Sequence, residues 1–241
     1  MHIVPAQPPA TPSDAGLSRP APGVAPLRAV RPATYAQQMT SPPAAPAPFQ
    51  QALEAMRRAV DGDPGRPELV IEDMPAPQRL APYSAAVSAT VSRDDSGGAT
   101  EVAVGRLILL YDPAGRSGWA GDFRIVAYVS ADLEPEIAAD PLVGSVAWSW
   151  LIEALEPVGY AGVSGTITRA VSESFGDKEH EPATTELELR ASWSPIGGRP
   201  AEPEIDFAGH VAAWCEVLCQ AAGLPPSGVT AIPPRPASSG K

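Results

Sequence analysis

"TEVAVGRLILLYDPAGRSGWAGDFRIVAYVSA", residues 100–131, decides how this chain folds. Its two flanks are rich in Val, Ile, Leu and Tyr, whereas "PAGRSGWAGD" between them holds three Gly and a Pro. Branched and aromatic side chains favour extended backbone, and Gly and Pro interrupt it, so the stretch reads as strand, turn, strand. Just upstream, "YSAAVSATVS" (83–92) alternates. Tyr83, Ala85, Val87, Ala89 and Val91 face one way, and Ser84, Ser88, Thr90 and Ser92 the other. "RDDSGGA" (93–99) joins it to the next strand through turn residues. Three consecutive strands with short Gly-rich connections predict an antiparallel meander.

Outward from the meander the pattern changes period. In "FQQALEAMRRAV" (49–60), Phe49, Ala52, Leu53, Met56 and Val60 recur at helical spacing, and Gly62, Pro64, Gly65 and Pro67 end the run. A short strand follows, "ELVIEDM" (68–74), then "PAPQRLAP" (75–82), too rich in Pro for regular pairing and expected to run extended across the domain. Downstream, "DPLVGSVAWSWLIEALEPVGY" (140–160) reads as a helix, with Asp140 as N-cap, Pro141 in the first turn, and Pro157 and Gly159 at its end. Two strands follow, "GVSGTITRAVSES" (162–174) and "TTELELRASWS" (184–194). The last helix, "IDFAGHVAAWCEVLCQAAG" (205–223), is capped by Asp206. The order is α-β-β-β-β-α-β-β-α. Strands cluster rather than alternate with helices, so the class is α+β, an antiparallel sheet of five to six strands with three packed helices.

Composition sets the boundaries. Residues 1–48 hold twelve of the thirty Pro and no periodic apolar pattern, and are expected to be a disordered, partly polyproline-II tail. Met39, followed by Thr-Ser-Pro-Pro, offers an alternative start. Residues 227–241 read as a flexible C-terminal tail, which leaves 49–226 as a single domain. Each tail carries +2, so the domain holds −15 of a total of −11. Such a domain repels phosphate backbones and argues against direct nucleic-acid binding. No apolar run approaches the roughly 20 residues that cross a bilayer, so no membrane role is expected. Two Cys are too few for a disulfide scaffold, and the expected location is cytoplasmic.

"PAPQRLAPY", "GRLILLYDPAGRSGWAGDFRIVAYVSADLEPEIAADPL", "WSWLIEAL", "SGTITRAVSESFG", "ELRASWSP" and "AWCEVLCQAAGLPP", taken in order, resemble an actinobacterial family known only as domain of unknown function 3000. The resemblance spans about residues 49–226. It implies no activity, substrate or catalytic residue.

The residues themselves supply little chemistry. "GVSGT" (162–166) lacks the second Gly of a nucleophile elbow and opens a strand, so Ser164 reads as a strand residue. His180 lies in a turn and His210 falls outside the apolar stripe of its helix (Phe207, Val211, Trp214, Leu218, Cys219), so both are expected in solvent. Cys215 and Cys219 share that stripe and read as core rather than as ligands. No metal, no cofactor and no catalytic set are expected.

Two groups of residues stand out. Arg106, Arg169, Arg124 and Arg190 lie on strands. The plain reading pairs them with Glu173, Glu186 or Glu188, and the sharper one makes them an anion pocket. The second group is aromatic. Trp119 sits at a turn tip, while Trp148 and Trp150 leave their helix on nearly opposite sides. Burial between two layers is expected, with Trp150 on the sheet and Trp148 on a neighbouring helix. The leading functional expectation is a non-catalytic interaction or regulatory module that binds a protein partner or a second copy of itself, with Trp148 and Trp119 as contact candidates. The alternative is a binder of, or enzyme for, an anionic carboxylate or phosphate ligand.

Overall fold

The computed structural model describes residues 45–62, 65–77, 79–95, 98–197 and 204–225. Both tail assignments, with Met39, lie outside these residues except for Ala45–Pro48. The first helix, α1 (Ala47–Asp61), begins two residues before Phe49, with Pro48 in its first turn. Strands β1 (Leu69–Met74), β2 (Tyr83–Asp95), β3 (Gly98–Tyr111) and β4 (Phe123–Leu133) follow. Next come a one-turn helix α2 (Pro135–Ala138), helix α3 (Val143–Leu155), strands β5 (Tyr160–Ser172) and β6 (Thr184–Pro195), and helix α4 (Phe207–Ala221). Apart from the added turn of α2 and a 3-10 turn at Gly176–Lys178, this is the expected order and class.

One start signal is displaced. Asp140 does not cap α3. Its carboxylate accepts from the Leu142 amide at 2.8 Å, closing a turn before the helix, and Leu142 stands at the N-cap without a side-chain bond. Asp206 does cap α4, accepting from the Gly209 amide at 2.8 Å.

The sheet has six strands in the order β1-β2-β3-β4-β6-β5, every neighbouring pair antiparallel. β2, β3 and β4 form the meander. β6 then inserts between β4 and β5, so β4 and β5 run parallel with a strand between them and are joined across one face by α3. That arrangement leaves β1 and β5 as the two edges.

All three long helices cover one face. α4 lies over the middle strands, α1 flanks it toward β1, and α3 flanks it toward β5. From Ala103 to Tyr111 of β3 and from Phe123 to Ala131 of β4 the odd-numbered residues, among them Leu107, Leu109, Ile125, Ala127 and Val129, point into this layer and are buried. Contact there is close. A Cβ on Gly105 would stand 2.6 Å from the Trp214 ring, so a glycine in β3 makes room for the largest side chain of α4. His210 departs from expectation. It is fully buried because α4 is enclosed by the sheet below and a helix on each flank, which leaves it little solvent face. His180 is exposed, as its turn suggests.

Trp148 and Trp150 are both half-buried against the core. Their assignment is corrected: Trp148 faces the sheet. A Cβ on Gly165 of β5 would lie 2.9 Å from the Trp148 ring, and Gly144, one turn earlier, faces Ile167 of the same strand. The i, i+4 line of Gly144 and Trp148 sets α3 down on β5.

Candidate functional site: the open face of the sheet

Among the described residues no helix covers the second face of the sheet. Its middle row runs Ser88, Arg106, Tyr128, Arg190 and Thr166, and its next row Ala86, Ile108, Val126, Ser192 and Ser164. Three of the four strand arginines, Arg106, Arg124 and Arg190, share this face. Arg169 points to the helix side, where its Nη1 donates to the carbonyls of Ala138 (3.0 Å) and Asp140 (3.3 Å). It ties the α2–α3 connection to β5 and takes no part in a pocket with the others.

The pairing with cross-strand glutamates is also corrected. Arg190 does meet Glu188, at 2.6 Å, but that residue is on its own strand, and the guanidinium stacks over Tyr128 at 5.6 Å. Arg106 is exposed and has no ion pair among the described residues. Arg124 makes no ion pair either. Only 9% of it is exposed, and its guanidinium donates to neutral oxygens: the Gly162 carbonyl (3.0 Å), the Ser192 carbonyl (3.1 Å) and the Ser192 hydroxyl (2.7 Å). Burial pulls its pKa below the ordinary arginine value.

Two loops wall this end of the face. The described part of the β1–β2 connection (75–77 and 79–82) folds over it, with the Ser84 hydroxyl donating to Pro77 O at 3.0 Å. The β3–β4 turn (112–122) leans the other way and is fastened to β6 by the Ala120 amide on the Ser194 hydroxyl, 2.9 Å. Inside that turn Asp112 accepts from the Ala114 amide (3.1 Å) and from Arg116 Nε (2.8 Å). The Arg116 hydrogen bond holds the Asp112 carboxyl below the usual carboxylate range. Arg116 also donates to the Leu80 carbonyl, joining the two loops, and its guanidinium lies over the Trp119 ring at 5.5 Å. The result is a groove of about 500 Å³ lined by Leu80, Leu110, Arg116, Trp119, Arg124, Val126 and Ser192. Trp119 and Arg124 thus come together, whereas Trp148 stands on the opposite face. Sequence reading missed Arg116 and Leu80. Their signal, an Asp112–Arg116 i, i+4 pair in a Gly-rich turn, was visible but ordinary.

A family model describing proteins of unknown function, DUF3000, matches residues 45–230. The chain belongs to this family. Comparison with curated proteins and with solved structures finds no match.

The helix side offers less chemistry. A cleft of about 450 Å³ between α1, β1 and α4 is lined by both cysteines, but burial pushes the Cys215 thiol up to about 12 and that of Cys219 up to about 11. Such thiols are poor nucleophiles at neutral pH. Ser164 lies in the middle of edge strand β5, opposite Ser192, with no strand-to-helix turn. Among the described residues no group of three or more His, Cys, Asp or Glu is placed to hold a metal, and no helix is long and apolar enough to cross a membrane.

Proposed function

We propose that this protein is a non-catalytic interaction module that pairs with a second copy of itself through β5. The observation that carries the reading is the character of that edge. β5 is 13 residues long, none of them buried, and Arg169 is its only charge. A long, uncharged edge presents a row of unpaired backbone N–H and C=O groups to a further strand.

The strand is complementary to itself about a two-fold axis at Ile167. Beyond the bulge that interrupts β5 between Ala161 and Ser164, antiparallel pairing there sets Thr166 opposite Thr168 and Arg169 opposite Gly165. Val171, 61% exposed, stands on this edge as an apolar side chain for the second copy to cover. Shifting the axis to residue 169 would set Arg169 against Arg169, which disfavours that register. Trp148 supports the edge from within by packing over Gly165. Two free, buried thiols fit a reducing cytoplasm, and a net charge of −15 in the domain disfavours nucleic acid as the partner.

Sedimentation of the full chain across a concentration series tests this reading. Dimers are expected. The T166K/T168K double variant, which sets Lys against Lys across the axis, is expected to be monomeric, and T166E/T168K, which sets Glu against Lys, to dimerise again. A wild type that stays monomeric, or a T166K/T168K variant that dimerises as before, overturns it.

A further inference from the structure

The groove on the open face is separate from the β5 edge, and its chemistry is specific. Two charged side chains line it, and they are not equivalent. Arg116 is neutralised by Asp112 at 2.8 Å and spends its guanidinium on Leu80 and Trp119. Arg124 is nine-tenths buried, bonded only to neutral oxygens, and has no carboxylate within ion-pair distance among the described residues. A buried cation without a counter-charge is costly, and a ligand anion relieves that cost. The Ser192 hydroxyl stands 2.7 Å from the same guanidinium and can share the anion. The rest of the lining is mainly apolar, Leu80, Leu110, Val126 and the Trp119 ring, with Ser117 and Gly118 of the turn beside them.

We infer that this groove binds a small molecule carrying a single carboxylate on an apolar or aromatic body. The carboxylate sits on Arg124 and Ser192, and the body lies along Trp119, Leu80 and Val126. Charge count selects the ligand. One uncompensated guanidinium balances one negative charge, whereas a phosphate monoester brings nearly two into a strongly acidic domain. A planar fork meeting a carboxylate gives direction as well as charge. Arg116 acts here as a wall and as a brace: through Asp112 and Leu80 it locks the two loops and holds the Trp119 face in place.

The test uses the full chain with indole-¹⁵N-labelled tryptophan and three probes: 3-phenylpropionate, its uncharged amide 3-phenylpropionamide, and inorganic phosphate. The expected result is a saturable shift of the Trp119 indole signal with 3-phenylpropionate, at a Kd tighter than about 1 mM, and no saturation with the amide or phosphate. Arg124→Gln should abolish binding. Because Arg124 also ties β4 to β5 and β6, that variant can fail to fold, so Trp119→Ala, at an exposed turn, is measured alongside by calorimetry. It should weaken 3-phenylpropionate at least tenfold while circular dichroism stays unchanged. No saturable response to 3-phenylpropionate, equal affinity for its amide, or undiminished binding in Trp119→Ala overturns the inference.

Discussion

The two edges of the sheet face the same physical problem and meet it differently. β1 has six residues, two of them acidic, Glu72 and Asp73, with Glu68 just before. Its entry is pinned from both sides. Arg66 reaches Glu216 (3.6 Å) and Pro225 O (2.7 Å) on the α4 side, and Leu69 is buried in the core. Short length and like charges discourage a further strand. β5 has neither guard. It runs twice as long, carries one arginine, and turns that arginine inward to hold the α2–α3 connection. Edge protection is thus a property of each edge rather than of the sheet, and β5 is the one left available.

The largest expected effect comes from acid, and it falls on the β5 side. His210 accepts from Trp193 Nε1 through Nδ1 at 3.3 Å, while its Nε2 is buried with no partner among the described residues. Burial is the main cause that lowers its pKa from 6.5 to about 4, partly offset by Asp206. The folded protein therefore holds the neutral ring, and the unfolded chain binds the proton more readily. Its contribution is fully present above pH 6.5 and is lost as pH falls from there through about 4, amounting to about 3 kcal/mol. Denaturant unfolding at pH 7 and pH 4.5 checks the sign. His210→Gln should flatten that part of the profile. Since Trp193 belongs to β6, amide exchange at pH 4.5 should quicken in β5 and β6 before β1.

Gly165→Ala comes next. Its Cβ would meet Arg190 O and lie 2.9 Å from the Trp148 ring, so β5 must shift outward. A loss of about 1–3 kcal/mol is expected by thermal unfolding, together with loss of self-association. An unchanged melting temperature would show that α3 does not set the position of β5. Arg66→Ala should loosen the other edge, costing about 1–2 kcal/mol and raising exchange at Val70 and Ile71 without altering β5. The smallest effect is expected at the surface. Val171→Ser should leave monomer stability within about 0.5 kcal/mol yet weaken dimerisation, a separation visible by sedimentation beside calorimetry.

Much of the fold was legible residue by residue. Alternation through 83–92, the Gly-rich turn at 113–122, the helical spacing from Phe49 and the Asp206 cap all appear where local pattern puts them, whereas β2 and β3 run on through Asp95 and from Gly98, into the stretch expected to be a turn. Asp140 shows the limit of such signals: its carboxylate closes a turn just as readily as it caps a helix, and the chain uses the turn. The candidate site was half legible. Trp119 and Arg124 stood out as residue types, but Arg116 and Leu80 did not. Arg106, Arg169 and Arg190 looked equivalent to Arg124 until their partners were known.

By itself the sequence determined the element types, their order and the acidic, α+β character of the domain, because these follow from interactions between residues a few positions apart. Tertiary structure alone decided three things. His210 is buried because α4 has a helix on each flank, a fact absent from the pattern of α4. Trp119 shares a groove with Arg124 and Ser192 because the β3–β4 turn docks, through Ala120, on a strand more than 70 residues away in the chain. β5 is an edge because β6 folds back between it and β4. Each depends on which distant surfaces pack together, and hydrophobic burial is non-directional, so periodicity can show that a face is buried but not what covers it.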